Sequence, residues 1–460
     1  MASALDIPRV VIAATGSGAG KTTVTVAILG ALRARGIRVA AFKCGPDYLD
    51  PTYHARVLGK PSQNLDGWMM GREAVLATFA RASADAELAV VEGMMGLFDG
   101  AAADRDEGST AEIAKWLEAP VVLVHDASGV ARTIAAIAHG FARFDPDLRW
   151  AGLVCNRIGS RGHLDLLIRS QPAIPVVGGL PANHELSFPE RHLGLITANK
   201  EVFPDSLVEQ WARIGEQWLD LDAIIGAARR APRLETPAAR RSATPQSPRC
   251  RIGIAYDDAF HFYYEDNLRR LEELGTELVR FSPVRDRALP KADGLYFGGG
   301  YPEAMARELS ENKAMREEIR RFARDGRPIY GECGGLMYLC EAIRTLDGTE
   351  WPMIALLPGV AVMADRLQAL GYVEVQTRSP SILGPAGLRF RGHQFRYSSL
   401  EGVDASRIER AYSVVPRWGA AFDEGYAAGS VIGSYVHAHW ASNPAVAEGF
   451  VNACITSQRR

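Results

Sequence analysis

The chain is expected to fold as two α/β domains, the first a doubly wound parallel sheet. Three observations lead there. Short apolar, β-branched runs alternate with helix-like stretches. Two of these runs break into glycine-rich turns that open a helix, at residues 15–20 and around Cys333. A stretch at residues 231–249, rich in arginine and proline and almost without apolar period, separates the two halves. The expected organisation is therefore a first domain over 1–230, a linker over 231–249 and a second domain over 250–460.

Length and charge narrow the class. A chain of 460 residues exceeds one ordinary core. Hydrophobic residues make up 47%, and 52 basic residues face 54 acidic ones for a formal charge of −2. That balance gives no electrostatic case for nucleic acid or membrane as a partner. The linker arginines have no aromatic residues among them, so they read as a solvated charge run. No apolar run reaches membrane-spanning length and no basic flank precedes one, so a cytoplasmic protein acting on small molecules is expected, with room for a homodimer. The cysteines at 44, 155, 250, 333, 340 and 454 lack the close pairs of a zinc site or disulfide framework.

In the first domain the run from Val10 to Ala14 leads into Thr15-Gly16-Ser17-Gly18-Ala19-Gly20-Lys21-Thr22-Thr23, and a helix-like stretch follows from Val24. Strand, glycine-rich loop and helix together make a phosphate cradle. Loop amides and the helix N-terminus face one anion, Lys21 reaches the outer phosphates, and the Thr22 hydroxyl is offered to Mg²⁺. Thr15 stands where the regular motif has its first glycine. The nucleotide contacts expected are Thr15, Ser17, Gly18, Gly20, Lys21, Thr22 and Thr23, with ATP and Mg²⁺ as cofactors.

Further apolar segments at 39–42, 88–91, 120–124 and 151–154 read as strands buried on both faces of a parallel sheet. Ligands in such folds sit at the carboxyl ends of strands. Asp47 and Asp50 follow the segment at 39–42, Glu92 and Asp99 the one at 88–91. Acids beside a triphosphate repel it unless a cation lies between, so Asp47 and Glu92 are candidate Mg²⁺ ligands with Thr22, while Asp50 and Asp99 would position substrate or handle protons. Taken singly, each of these acids suits a cap or turn equally well. Asn156, after a later strand, reads either as a contact to the nucleotide base or as an ordinary turn residue.

The second domain opens with a strand at 250–255. At 328–337 an apolar strand runs into Gly331-Glu332-Cys333-Gly334-Gly335 and then a helix. This is a nucleophile elbow, which sets Cys333 at a helix N-terminus where the dipole is expected to lower the thiol pKa. His437 follows a later strand and supplies the proton-transfer partner. The turn containing Gly299 and Gly300, with Gly334, would offer backbone N–H groups to an oxyanion. Cys340 reads as core.

The phosphate loop, residues 43–51, the stretch 91–100 and the stretch 186–195 resemble the cobyrinate a,c-diamide synthase family, which includes the hydrogenobyrinate enzymes of cobalamin synthesis. The first domain resembles dethiobiotin synthetase, and the second the flavodoxin-like, triad-type glutamine amidotransferases. The resemblance implies a ligase that amidates the a- and c-acetate carboxylates of cobyrinate or hydrogenobyrinate through acyl phosphates, with ammonia from glutamine. By it, Asp47, Asp50, Glu92 and Asp99 carry over as metal-binding and catalytic acids, and Tyr48 and Leu49 as neighbours of the corrin. Triad-type domains usually carry a glutamate two residues after the histidine, and His439 occupies that place. The absence of that glutamate is typical of the cobyrinate and cobyric acid synthases, and another group would orient His437 or it would act as a dyad. At 391–398 the chain has Gln394 and Arg396 where the family motif usually has Glu and His, and His393 takes no assigned role. Two alternatives stand beside this reading: a cobyric acid synthase-like amidation of other side chains, and a partitioning-type switch ATPase with an inactive amidotransferase domain.

Overall fold

The structure is a computed structural model that describes residues 3–182, 190–191, 194–195, 197–237, 247–404 and 406–458. Most of the stretch 186–195 and the middle of the expected linker lie outside the described residues. The chain separates into two compact units, Met1–Arg240 and Arg241–Arg460.

The first unit is built on a seven-stranded sheet: β1 (Arg9–Ala14), β2 (Val39–Cys44), β3 (Gln63–Leu65), β4 (Leu88–Glu92), β5 (Val121–Asp126), β6 (Trp150–Ile158) and β7 (Val176–Pro181). Their order is β3-β2-β4-β1-β5-β6-β7, every pair parallel. Every residue of β1 and β4 is buried, as their unbroken apolar runs require of strands covered by helices on both faces. The chain leaves β1 for one side of the sheet, re-enters at β4, and crosses to β5 on the other. That reversal opens a crevice at the carboxyl ends of β1, β4 and β5, where the phosphate loop lies.

The unit runs past the expected boundary at 230. Residues Leu234–Thr236, placed in the linker by composition, form a strand antiparallel to Ser3–Leu5. The buried Arg9 guanidinium binds the carbonyls of Ile7, Leu117 and Pro232. Prolines and arginines hid a segment held by backbone pairing and one buried cation.

The second unit carries a ten-stranded sheet: β8 (Cys250–Ala255), β9 (Thr276–Phe281), β10 (Gly294–Phe297), β11 (Ile329–Glu332), β12 (Ala369–Thr377), β13 (Arg389–Arg396), β14 (Glu409–Pro416), β15 (Phe422–Ala428), β16 (Val431–Ser434) and β17 (His437–His439). The order is β9-β8-β10-β11-β16-β15-β14-β12-β13-β17. The five strands from β9 to β16 are parallel, and the rest of the sheet is antiparallel. A separate four-stranded sheet, Glu350–Pro352, Ala342–Arg344, Val360–Met363 and Ser398–Glu401, packs its Ile343 and Ala361 into the same core as Leu336 and Leu339. Among the described residues no helix is long and apolar enough to cross a membrane.

Candidate active sites

The phosphate loop closes on the helix Lys21–Ala34 through Gly20, whose φ of 92° is open to glycine but strained for other residues. Ser17 and Gly18 are exposed at the loop tip, while Lys21 is buried and donates to the Met95 carbonyl. Thr15 Oγ1 lies 2.9 Å from His125 Nδ1 at the end of β5. The Asn156 amide donates to the Ala19 carbonyl at 2.9 Å, and a Cβ on Gly20 would stand 2.0 Å from its nitrogen. Asn156 therefore braces the loop and sets its glycine requirement, a job that neither expectation for it included.

Beneath the loop is a buried charge cluster. Lys43 and Glu92 are register partners across β2 and β4, so both side chains leave the sheet on one face. Lys43 Nζ donates to Asp50 Oδ2 at 2.5 Å, to Glu92 Oε1 at 2.9 Å and to the Gly93 carbonyl at 2.9 Å, with Asp47 Oδ2 at 3.7 Å. Thr22 Oγ1 donates to Glu92 Oε1 at 2.8 Å. On the other oxygen, His54 Nε2 lies 2.6 Å from Glu92 Oε2, and His54 Nδ1 lies 3.1 Å from Ser62 Oγ.

Charges follow from these contacts. Burial opposes the charged form of Glu92, yet Lys43 and His54 hold it well below the usual carboxylate range. Burial likewise opposes the Lys43 ammonium, but Asp50, Glu92 and Asp47 outweigh it and hold it well above its ordinary value. Asp50 is pushed up by burial and by Asp47, against the pull of Lys43. Burial and the Lys43 charge lower Lys21, while Glu92, Asp50 and Asp99 oppose them.

Of the other expected residues, Asp47 accepts the N–H groups of Leu49 and Asp50 at 2.8 and 3.0 Å, so it caps its own turn while facing Lys43. Its cap and charge roles coexist. Tyr48 and Leu49 are half-buried on that turn. Asp99 is exposed, and its Oδ2 accepts the Gly96 N–H at 2.8 Å. His54 and Lys43 are the additions. His54 shares the buried face Asp50, Tyr53, His54, Val57 of the helix Asp50–Leu58, so reading that helix at a period of 3.6 residues would have set it beside Asp50.

In the second unit Cys333 sits at the tip of β11 with φ 47° and ψ −101°, immediately before the helix Gly334–Leu339. A non-glycine residue in this region is strained, which fits an elbow that lifts its side chain out of the strand. Its Sγ lies 4.0 Å from the Phe395 carbonyl. The expectation of a lowered thiol pKa is corrected: burial and Glu303 push it up to about 12, although the Gly334 N–H and Arg396 pull it down. The helix has only six residues, and its dipole does not offset that burial.

Cys333 and His437 follow adjacent strands, for β11 pairs with β16 and the Cys333 N–H donates to the Ser434 carbonyl at 2.7 Å. His437 is buried, and burial brings its pKa down to about 3. Its ring stacks on His393 at 4.9 Å and 14°. A Cβ on Gly299 would lie 2.4 Å from His437 Cε1, and one on Gly334 would lie 3.1 Å from the Gly300 nitrogen. The glycine turn, the elbow and the imidazole thus converge. One oxyanion candidate is corrected: the Gly299 N–H already donates to the Phe262 carbonyl at 3.2 Å. Gly299 has its N–H engaged and offers no side chain beside His437, so of the expected oxyanion donors Gly300 and Gly334 are the candidates that remain. Cys340 is core, as expected.

Sheet topology and these two constellations define a nucleotide-using glutamine amidotransferase. Residues 10–196 match the family described as the CobQ/CobB/MinD/ParA nucleotide binding domain, and 251–445 the CobB/CobQ-like glutamine amidotransferase domain. The cobyrinate a,c-diamide synthase of Leptospira interrogans is 50% identical over 452 residues, covering 98% of this chain and 99% of the relative. Those of Syntrophotalea carbinolica and Dehalococcoides mccartyi are 45% and 44% identical, covering 98% and 97% of this chain and 99% and 98% of theirs. The chain belongs to the cobyrinate a,c-diamide synthase family.

Proposed function

We propose that this protein amidates the a- and c-acetate carboxylates of cobyrinate or hydrogenobyrinate, spending ATP in the first unit and glutamine in the second. The observation that carries this is the pairing, in one chain, of a phosphate loop over the Lys43–Glu92 cluster with a strained cysteine elbow beside His437. The reading assigns the reaction to the cytoplasm and to a chain that works alone or as a homodimer.

Carboxylates do not react with ammonia near neutral pH, because hydroxide leaves poorly. Transfer of the γ-phosphoryl group from ATP to the acetate oxygen forms an acyl phosphate and ADP; ammonia then attacks the acyl carbon and phosphate leaves. Lys21 and the loop amides, with Thr15, Ser17, Gly18 and Thr23 around them, stabilise charge on the transferring group. Tyr48 and Leu49 border the corrin, and Asp50 and Asp99 position the substrate or handle protons. The donors around Thr22 are hard oxygens, its hydroxyl against Glu92 with Asp47 facing Lys43, and they suit Mg²⁺, which takes one or two carboxylates and leaves its other positions to phosphate and water. Thr22, Glu92 and Asp47 would hold that ion, and it would supply charge neutralisation between the phosphates.

In the second unit Cys333 attacks the side-chain carbonyl of glutamine as its proton passes to His437. The oxyanion is met by the N–H groups of Gly300 and Gly334. His437 returns the proton to the departing ammonia, and a water activated by the same imidazole hydrolyses the thioester to glutamate. With the thiol raised and the imidazole lowered by burial, the resting pair is neutral, and proton transfer accompanies attack.

The test is incubation with ATP, Mg²⁺, glutamine and each corrinoid in turn, with the new amides located by mass spectrometry and NMR. Two amides at a and c are expected; amides at other side chains would shift the assignment to a cobyric acid synthase-like activity.

A further inference from the structure

His439, which stands where an acid would orient His437, is engaged elsewhere: its Nδ1 accepts the Ala441 N–H at 3.3 Å and its ring lies against Tyr264 at 4.6 Å. The backbone around His437 is held instead. Ahead of it, the buried Glu424 accepts the Tyr435 N–H at 2.7 Å and the Ser434 hydroxyl at 2.6 Å, and that hydroxyl accepts the Val436 N–H at 3.0 Å. Directly behind it, Glu332 Oε1 accepts the Ala438 N–H at 3.0 Å. Asn267 completes the hold, donating to the Ala438 carbonyl at 2.7 Å and accepting the Trp440 N–H at 2.8 Å.

Glu332 is the residue before the nucleophile, and it binds the amide after the base. We propose that Glu332 is the positioning residue of the glutaminase site, its carboxyl fixing His437 against Cys333 through the Ala438 N–H. This rests on the reading of Cys333 and His437 as the glutaminase pair.

A structural part alone explains Glu332 poorly. It is 1% exposed, and its remaining bonds come from the Tyr296 and Tyr330 hydroxyls at 2.8 and 2.7 Å. A carboxyl surrounded by phenols in a sheet core costs desolvation that an apolar side chain would avoid. What an apolar side chain would lose is an acceptor for the amide that adjoins His437. The two tyrosines anchor the carboxyl from the sheet side, so its position relative to β11, and hence to Cys333, is set before glutamine arrives. The backbone is fixed at both flanks of His437, and its ring is stacked on His393.

The test uses the full chain with Glu332→Ala and Glu332→Gln, reading glutamine-dependent glutamate release, ammonia-dependent synthesis, and the rate at which iodoacetamide alkylates Cys333 between pH 6 and 10. A base displaced by about 1 Å costs ~100-fold. In E332A, kcat for glutamate release should fall about that much with KM for glutamine near wild type, ammonia-dependent synthesis should persist, and alkylation should follow an isolated thiol, since proton transfer to His437 is lost. E332Q keeps an acceptor oxygen for Ala438 and should recover to within ~10-fold. Wild-type kcat in E332A, or an E332Q as impaired as E332A, would overturn the proposal. If E332A also loses ammonia-dependent synthesis, E332Q decides alone: a ~100-fold lower kcat, in a variant still using ammonia, overturns it, and near-normal kcat with wild-type alkylation supports it. Failure of the underlying reading looks different, for Cys333→Ala would then still consume glutamine.

Discussion

Replacing Gly299 by Ala tests the geometry around His437 with a single methyl group. Gly299 has no positive φ, so the backbone accepts alanine, and the Gly299 carbonyl keeps its bonds from the His261 and Phe262 N–H groups at 3.0 Å. The new Cβ would lie 2.4 Å from His437 Cε1 and 3.3 Å from its Nδ1. Carbon–carbon contacts settle at about 3.5–4.0 Å, so the imidazole has to retreat by more than ~1 Å. It has little room, because His393 is stacked on it at 4.9 Å and the Ala438 N–H is tied to Glu332 at 3.0 Å. A displacement of that size costs a general base ~100-fold in kcat. The assay is steady-state glutamate release, with ammonia-dependent synthesis measured on the same preparation. Glutamine turnover should fall by about that factor while ammonia is used as before. A G299A enzyme that hydrolyses glutamine within threefold of wild type would show that His437 is not the base, or that it works from another position.

Cys333→Ala should abolish glutamine-dependent synthesis and spare the ammonia-dependent reaction, whereas Lys21→Ala should impair both, since carboxylate activation is common to them; ammonia-dependent turnover near normal in K21A would remove the phosphate loop from the mechanism. Glu92→Gln should lower synthesis with either nitrogen source, with part of the activity returning at high Mg²⁺, and should cost about 3 kcal/mol by chemical denaturation because Lys43 and His54 lose a buried partner; unchanged kinetics would leave Glu92 a purely structural acid. Burial lowers His437 to about 3 and His439 to about 4, and lowers His393 as well, so the unfolded chain binds more protons than the native one as pH drops below the ordinary histidine value of about 6.5. The stability from these neutral imidazoles is therefore full above that pH and is lost as pH falls toward 3; circular dichroism should show the amidotransferase unit unfolding in that window, and an unchanged stability down to pH 4 would refute it.

What could be read along the chain is what local chemistry dictates. The strands of the first unit announce themselves because a parallel sheet buried on both faces demands unbroken apolar runs, and the phosphate loop and elbow because glycines at fixed places leave few other folds. The antiparallel half of the second sheet is harder to see. Leu370 and Phe395 pair across β12 and β13 yet are 71% and 43% exposed, so apolar residues on the outer face blur the alternation that marks such strands. Leu234–Thr236 escapes for a related reason, since its partner, Ser3–Leu5, lies at the far end of the unit's sequence.

The sites divide in the same way. Sequence neighbours identify the groups proposed to meet phosphate or glutamine, but not the groups that hold them, because those arrive from other elements. Lys43 reaches Glu92 through strand register, His54 reaches it through the buried face of a helix, and Glu332 at the end of β11 reaches Ala438 in β17, a strand it does not pair with. Burial also reverses one local expectation. A cysteine at a helix N-terminus reads as an acidic thiol, yet enclosure outweighs six residues of dipole, and in the proposed mechanism Cys333 becomes a nucleophile only as His437 takes its proton. In that mechanism an enclosed, neutral pair that ionises only as it reacts holds little thiolate at rest, so each glutamine cleaved would depend on the imidazole being in place. On the proposal made above, Glu332 behind His437, rather than any group on Cys333 itself, would set how fast this site makes ammonia.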